Sequence, residues 1–257
     1  MNVKFFSIIL VMLISNALIG QTGYFMRSEI ETAANGFNNG KTTMTVSTYV
    51  KGEDMKIETI NKTSTQLQYY IGDKVTVITK EKNADNVCGE GTREEMKDII
   101  KESDKTEYKD LKVEKTNKTE TILGYECKKA IIKYKIAVMG FEMKMENVLW
   151  YTDKISLGND ISTGDASNIG VSNAYVDAVK ALGGITLKQE SNSNGTSLAV
   201  MKVMQIEKKE IAESVFAIDA KDCKKMLTLK EQKDKIEERN SARDRQNMQF
   251  QQQMRKN

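Results

Sequence analysis

The chain has 257 residues, of which 39% are hydrophobic and 29% are charged, so it can build a core and is not a disordered polypeptide. Its 39 Lys and Arg residues nearly balance its 36 Asp and Glu residues, and a formal charge of only +3 argues against a strongly basic nucleic-acid-binding protein. The absence of histidine excludes Ser-His and Cys-His nucleophile systems and most zinc sites. We therefore expect no enzyme activity, no cofactor and no metal site.

Residues 1–20 have the pattern of a secretory signal peptide. Lys4 precedes an apolar stretch, and small residues follow it at the expected place. Cleavage after Ala17 fits the small-x-small rule best, and cleavage after Gly20 is the alternative. Ser15 and Asn16 interrupt the stretch too early for a membrane span, which needs about 20 mostly apolar residues. The sequence therefore predicts a periplasmic or secreted protein that does not span a membrane.

Most of the remaining chain alternates apolar and polar residues with the period of two that is typical of half-buried strands. Two hairpins are predicted early in the chain, with turns at residues 51–54 and at Gly72-Asp73. Residues 92–103 and 171–182 instead place apolar residues three and four positions apart, which predicts two short amphipathic helices. Residues 130–138 and 141–150 give the clearest strand pattern. Its change of phase at Asn147 predicts either a β-bulge or a strand that crosses between two environments.

The last part of the chain differs in composition. Residues 226–257 are rich in Lys, Glu, Arg and Gln, and their few apolar residues include Leu229 and Ile236, one heptad apart. Because the heptad register does not continue, a coiled coil is unsupported, and a solvated helix or a disordered tail is expected. The predicted domain organisation is a signal peptide over residues 1–20, one domain over residues 21–225 and this charged tail.

Sequential amphipathic strands joined by short turns predict an antiparallel meander rather than a parallel sheet. The expected fold class is α+β, with a curved antiparallel sheet of about 8–11 strands forming an open or half β-barrel, because one apolar face must be covered. Two short helices would cover such a sheet only in part. The space beneath them is a natural place for an apolar ligand.

The three cysteines, Cys88, Cys127 and Cys223, suggest one disulfide and one free thiol in an oxidising compartment. All three pairings are possible. The pairing Cys127–Cys223 is weakly favoured, because both residues lie next to predicted strands whereas Cys88 lies in a glycine-bearing segment that resembles a loop.

Five segments in order resemble a known family. They read ILGYECKKA at residues 122–130, LWYTDKI at 149–155, LGGI at 182–185, VMQIEKKEI at 203–211 and SVFAI at 214–218. This order is similar to that of GLPGLI-type secreted proteins of Gram-negative bacteria and their uncharacterised relatives. The resemblance implies a half barrel like that of the periplasmic lipoprotein carriers LolA and LolB. The chain departs from the family pattern at Asp219 and at Gly183-Gly184, where proline residues are common.

Methionine and aromatic residues on the predicted strands are the candidates for the wall of an apolar cavity, since methionine suits adaptable binding surfaces. They are Trp150, Tyr134, Phe141, Met143, Met145, Met201 and Met204. Trp150 is the first choice because it is the only tryptophan and lies where the alternation changes phase.

Two functions compete. One is an exported binding protein that holds a lipid or another apolar small molecule in the half barrel. The alternative is an interaction protein with a packed core, which docks an envelope protein through a sheet edge or the basic tail. An empty cavity of several hundred Å³ would favour the first function.

Overall fold

A computed structural model describes residues 22–33, 40–103, 108–138, 141–155 and 173–254. The predicted signal peptide over residues 1–20 lies outside these ranges. So do the side chains of Ser103, Val138, Phe141, Asn173, Ala174 and Asp244 and those after residue 245. The described residues form twelve strands: β1 (Thr22–Thr32), β2 (Thr42–Lys51), β3 (Asp54–Ile60), β4 (Ser64–Ile71), β5 (Lys74–Glu81), β6 (Ala84–Thr92), β7 (Tyr108–Ile122), β8 (Tyr125–Val138), β9 (Phe141–Thr152), β10 (Ile185–Ser193), β11 (Thr196–Glu210) and β12 (Met226–Thr228). They also form three α-helices: α1 (Arg93–Ser103), α2 (Asn173–Lys180) and α3 (Leu229–Met254).

All twelve strands belong to one open sheet with the order β12-β6-β5-β4-β3-β2-β1-β11-β10-β9-β8-β7. Neighbouring strands are antiparallel except β12 and β6, which are parallel. Both predicted early hairpins are confirmed: Lys51 pairs with Asp54 and Ile71 pairs with Lys74. Gly52 (φ 61°) and Gly72 (φ 55°) adopt the left-handed conformation that two-residue hairpin turns require. The expected open, mostly antiparallel sheet with few helices is therefore correct.

The sheet has more strands than the 8–11 predicted, because β6 resembled a loop in the sequence and β12 is very short. Gly89 and Gly91, which have no side chain, allow the helices to lie close against β6. A Cβ atom on Gly89 would lie 2.7 Å from Gln232 Cβ on α3, and one on Gly91 would lie 2.5 Å from Glu95 Oε2 on α1 and 2.9 Å from Leu229 Cδ1 on α3. Glycine within a strand is a common sign of such a close approach.

The predicted disulfide Cys127–Cys223 is wrong, since Cys223 is bonded to Cys88. Cys223 precedes β12, which runs beside β6 with Met226 opposite Cys88, so the two sulfur atoms lie at the same end of the sheet. Cys127 lies on β8, near the other end of the strand order, and is a fully buried free thiol. The misreading of β6 as a loop concealed this pairing.

The predicted β-bulge at Asn147 is also wrong. Strands β8 and β9 pair in one register from Lys128–Tyr151 to Val138–Phe141, and Asn147 lies opposite Ile132. Asn147 is a buried polar residue on the face that carries Leu149, so the alternation continues through it. A buried amide in an apolar row produced the false change of phase.

Helix α1 coincides closely with the helix predicted over residues 92–103, and α2 lies within the one predicted over residues 171–182. The segment predicted as a solvated helix or a disordered tail contains α3. The first turns of α3 are part of the packed structure, since Leu229 is 4% exposed and Gln232 is 5% exposed. Within the described residues, no helix combines the length and the apolar composition needed to cross a membrane.

Candidate ligand cavity

A cavity of about 690 Å³ lies between one face of β2–β5 and the helices α1 and α3. Its volume is within the range of about 300–1,000 Å³ that is usual for small-molecule sites. The strands form one wall and the two helices form the others, so the site depends on how α1 and α3 pack against the sheet.

Alternate residues of β4 form the strand wall of this cavity. Gln66, Gln68 and Tyr70 line it, whereas Leu67 and Tyr69 point to the opposite face and are buried in another cluster. The Tyr70 hydroxyl donates a hydrogen bond to Gln68 Oε1 at 2.9 Å, and Gln68 Nε2 donates to Gln66 Oε1 at 3.1 Å. The wall therefore carries a row of polar groups that are already hydrogen-bonded to one another.

Helix α1 contributes Met96, Ile99 and Ile100, the apolar face that the sequence predicted. Its start is fixed by a capping box. Thr92 Oγ1 accepts from the Glu95 backbone N–H at 3.1 Å, while Glu95 Oε2 accepts from the Thr92 N–H at 2.7 Å. This reciprocal pair determines where the helix begins and hence where its apolar face points.

Helix α3 presents one long face to the cavity. The face repeats at intervals of three or four residues, as the helical period requires, and consists of Leu229, Gln232, Lys233, Ile236, Glu237, Asn240 and Arg243. A second capping box begins the helix, with Thr228 Oγ1 accepting from the Glu231 N–H at 3.2 Å and Glu231 Oε2 accepting from the Thr228 N–H at 2.9 Å.

Side-chain bonds hold α3 onto the sheet along this length. Near its start, Gln232 Nε2 donates to the backbone oxygens of Val77 at 3.0 Å and Val87 at 3.3 Å. Further along, Arg239 Nη1 donates to the Asp85 backbone oxygen at 2.9 Å, and Arg243 Nη2 lies 3.1 Å from Glu81 Oε2. The helix is therefore a fixed wall of the cavity.

The residues predicted to line a cavity lie elsewhere. None of those whose side chains are described is in the lining of this cavity. Trp150 and Met201 pack, partly buried, against the central core cluster. Met145 packs beside α2, Met143 is partly buried on β9, and Met204 is 52% exposed.

Tyr134, another predicted cavity residue, is part of a buried polar cluster beneath α2. Asn147 Nδ2 donates to the Tyr175 hydroxyl at 2.8 Å and to the Tyr134 hydroxyl at 3.3 Å. Burial raises the pKa of Tyr134 to about 12 and raises the pKa of Tyr175 further, so both phenols are neutral at physiological pH. The cluster therefore supports packing of the helix.

Three signals in the sequence do point to the observed cavity. The apolar face of α1 is one, and the heptad spacing of Leu229 and Ile236 is the second. The third is the pattern Thr-x-x-Glu, which occurs at Thr92 and again at Thr228, directly before each helix. The sequence does not indicate that both helices pack beside β6 and face the same cavity.

Comparison with known proteins places the chain in a family. Residues 35–223 match the model of DUF4412, described as a domain of unknown function. The chain belongs to the DUF4412 family. The matched residues include the sheet from β2 to β11 and end at Cys223 of the disulfide. The narrower assignment to the GLPGLI-type proteins stays a prediction. No curated protein matches the chain.

Solved structures similar to this DUF4412 protein share little sequence with it. The structure of PNGF-II has 16% identity and a TM-score of 0.39 over 83% of this chain, which spans 32% of that chain. A DUF1329 family protein from Desulfovibrio piger has 10% identity and a TM-score of 0.32, with 81% of this chain and 94% of that one covered. A LolA superfamily protein from Nitrosomonas europaea has 10% identity and a TM-score of 0.29, covering 79% and 92% respectively. At these TM-scores the similarities do not establish a shared fold.

Proposed function

We propose that this DUF4412 protein is an exported, non-enzymatic binding protein that holds a lipid or another ligand with a long apolar chain. The observation that carries the proposal is the cavity of about 690 Å³ between β2–β5, α1 and α3. The site differs from the one expected from the sequence, but the class of ligand is the same.

Export is proposed from two observations. Residues 1–20 have the composition of a signal peptide, and the bond between Cys88 and Cys223 is of the kind that persists in oxidising compartments. The disulfide agrees with the periplasmic or secreted location that the signal-peptide pattern predicts.

The alternative, docking of an envelope protein through a sheet edge or the basic tail, has less support. Gln232, Arg239 and Arg243 already attach the first half of that tail to the sheet. Strand β12 has three residues, and α3 packs beside it. At the other edge, β7 contains four lysines, and its pairing with β8 shifts register twice. Short strands, lysines and bulges are the features by which native proteins prevent edge pairing.

The test is ligand binding by a variant in which a large side chain narrows the cavity. Thr59 on β3 lines the cavity, and Ile60, the next residue, is 43% exposed. We expect Thr59→Trp to reduce the fluorescence increase of the apolar fluorophore N-phenylnaphthylamine, whereas Ile60→Trp should leave it unchanged.

Native mass spectrometry of the protein purified without detergent complements this assay. An added mass that organic solvent removes from the wild type, and that is missing from Thr59→Trp, would support the proposal. Equal binding of the fluorophore by both tryptophan variants and the wild type would contradict it.

A further inference from the structure

The cavity changes in polarity from one end to the other. At one end Leu229 of α3 packs with Val75 and Val77 of β5, and Met96 and Ile99 of α1 pack against the same cluster. At the other end the β3–β4 turn contributes Asn61 and Thr63, which line the cavity together with Ser64 at the start of β4 and Asn240 of α3. On β5, Val77 lies at the apolar end of the cavity and Glu81 at the polar end. These two residues are four positions apart, which corresponds to about 13 Å at the usual rise of a strand.

The length of the lined face suits an extended chain. From Leu229 to Arg243 the face of α3 extends over about 21 Å at the helical rise per residue. An apolar chain can lie beside Leu229 and Ile236 while its polar end reaches Asn240 and Arg243.

The charges at the site are balanced. Among the described lining residues four are charged, the acids Glu81 and Glu237 and the bases Lys233 and Arg243. Arg243 and Glu81 form an ion pair at the polar end, with Nη2 and Oε2 3.1 Å apart, and the Lys233 and Glu237 side chains approach to 3.9 Å. The Glu81 side chain is 12% exposed, so its carboxylate has little water to offset a second negative charge.

Resting on the proposed function, we infer that the ligand is a single-chain amphiphile with an uncharged, hydroxyl-bearing head group that lies between Glu81, Asn240 and the β3–β4 turn. A carboxylate head would meet Glu81 while Arg243 is already paired, and an ammonium head would meet Arg243 while Glu81 is already paired. Like charges brought together at a binding site cost affinity. Hydroxyl groups donate and accept hydrogen bonds, which suits the Asn240 amide. The Thr63 hydroxyl already donates to Asn61 Oδ1 at 3.1 Å, so it would accept from a ligand hydroxyl.

The experiment compares three ligands with the same chain: monododecanoylglycerol, dodecanoate and dodecylamine. Each is titrated against N-phenylnaphthylamine bound to the wild-type protein at neutral pH, and its affinity is obtained from the loss of fluorescence. We expect the glycerol ester to bind about tenfold more tightly than either charged ligand, a difference that corresponds to about 1.4 kcal/mol.

Two variants should change the preference among the three ligands in opposite directions. Glu81→Gln leaves Arg243 without its partner, and dodecanoate should gain about tenfold relative to the glycerol ester. Arg243→Gln leaves Glu81 unpaired, and dodecylamine should gain instead. Glu238→Gln and Arg245→Gln are the matched controls, because both residues are exposed and outside the lining of the cavity. They should behave as the wild type.

The outcomes separate the two proposals. Displacement by all three ligands with equal affinity, unchanged by Glu81→Gln and Arg243→Gln, would overturn the head-group inference and leave a general apolar cavity. Tighter binding of dodecanoate by the wild type would overturn it too. Failure of the fluorophore itself to bind would refute the proposed function.

Discussion

Two glycines on β6 decide how closely the last helix approaches the sheet. Gly89 lies under Gln232, which is held by hydrogen bonds to two strands, and Gly91 lies under Leu229. A side chain at either position would push α3 away from the cavity that it closes. In the sequence the same glycines made β6 resemble a loop.

Gly89→Ala should therefore destabilise the protein. The new Cβ would lie 2.7 Å from Gln232 Cβ, and Gln232 cannot move without losing its bonds to Val77 and Val87. We expect a loss of about 1–3 kcal/mol in the free energy of unfolding, the usual cost of overpacking. Urea titration measures it.

Gly40→Ala is the control for this substitution, since a Cβ there has no atom within 4 Å. Equal stability of the two alanine variants would show that α3 does not lie as close to β6 as described.

Trp150→Ala should reduce stability without changing ligand binding. Trp150 is partly buried against the central cluster, and its ring has the amines of Lys129 and Lys188 at 5.8 and 5.9 Å from its centroid. The cost should be below the about 3–5 kcal/mol of a fully buried large aromatic residue. Loss of N-phenylnaphthylamine binding with an unchanged melting temperature would instead restore Trp150 as a cavity residue.

At the scale of elements, the two helices that line the cavity begin in the same way. Each follows a β-strand directly and starts with a Thr-x-x-Glu capping box, at Thr92 and at Thr228. The box satisfies backbone N–H groups at the first turn and determines the residue at which strand becomes helix. The positions of both helical walls therefore depend on short-range sequence.

The cap of α3 should make stability depend on pH. The backbone and side chain of Thr228 donate to Glu231 and hold the pKa of that carboxyl below its ordinary value of 4.5. The charged form thus stabilises the folded state above pH 4.5, and this contribution is lost as the pH falls through the lowered pKa. Wild type should melt at a higher temperature than Glu231→Gln at neutral pH, and the difference should shrink in acid.

Glu238→Gln, on an exposed residue of the same helix, serves as the control. A difference between Glu231→Gln and the wild type that stays constant down to acidic pH would show that the carboxylate does not cap the helix in its ionised form.

At the scale of the whole molecule, one covalent bond connects distant parts of the chain. Cys88 and Cys223 are 135 residues apart in sequence, and their bond fixes the segment that leads into β12 and α3. That segment returns to β6 after the chain has formed β7 to β11 at the other side of the sheet. The disulfide therefore attaches the helical wall of the cavity to the strands that it covers.

Cys88→Ser/Cys223→Ser should lower the free energy of unfolding by about 2–5 kcal/mol, as loss of a native disulfide typically does. Dithiothreitol should lower the wild-type melting temperature to that of the double variant and leave the variant unchanged.

Burial raises the pKa of the Cys127 thiol, so this thiol should react with iodoacetamide only after unfolding. Rapid alkylation of the folded protein would contradict the burial of Cys127.

Prediction from sequence succeeded where short-range pattern decides the structure. The strand alternation correctly predicted the open antiparallel sheet, and the apolar spacing of Met96, Ile99 and Ile100 correctly predicted α1. It failed at β6, where glycines serve a long-range contact, and at Asn147, where an amide is buried. Both failures have one cause: the residue type reflects a partner far away in sequence.

The open antiparallel sheet and its early hairpins can be predicted from the amino-acid order, because alternation and turn residues act over a few positions. The choice of bonded cysteines and the surface that lines the cavity follow from contacts between distant parts of the chain. The disulfide depends on β12, which returns beside β6, and the cavity depends on α3, which follows β12, packs on β6 and faces β2–β5. Its cavity-facing residues have the polarity of a solvated helix, so their role becomes visible only when the sheet lies beneath them.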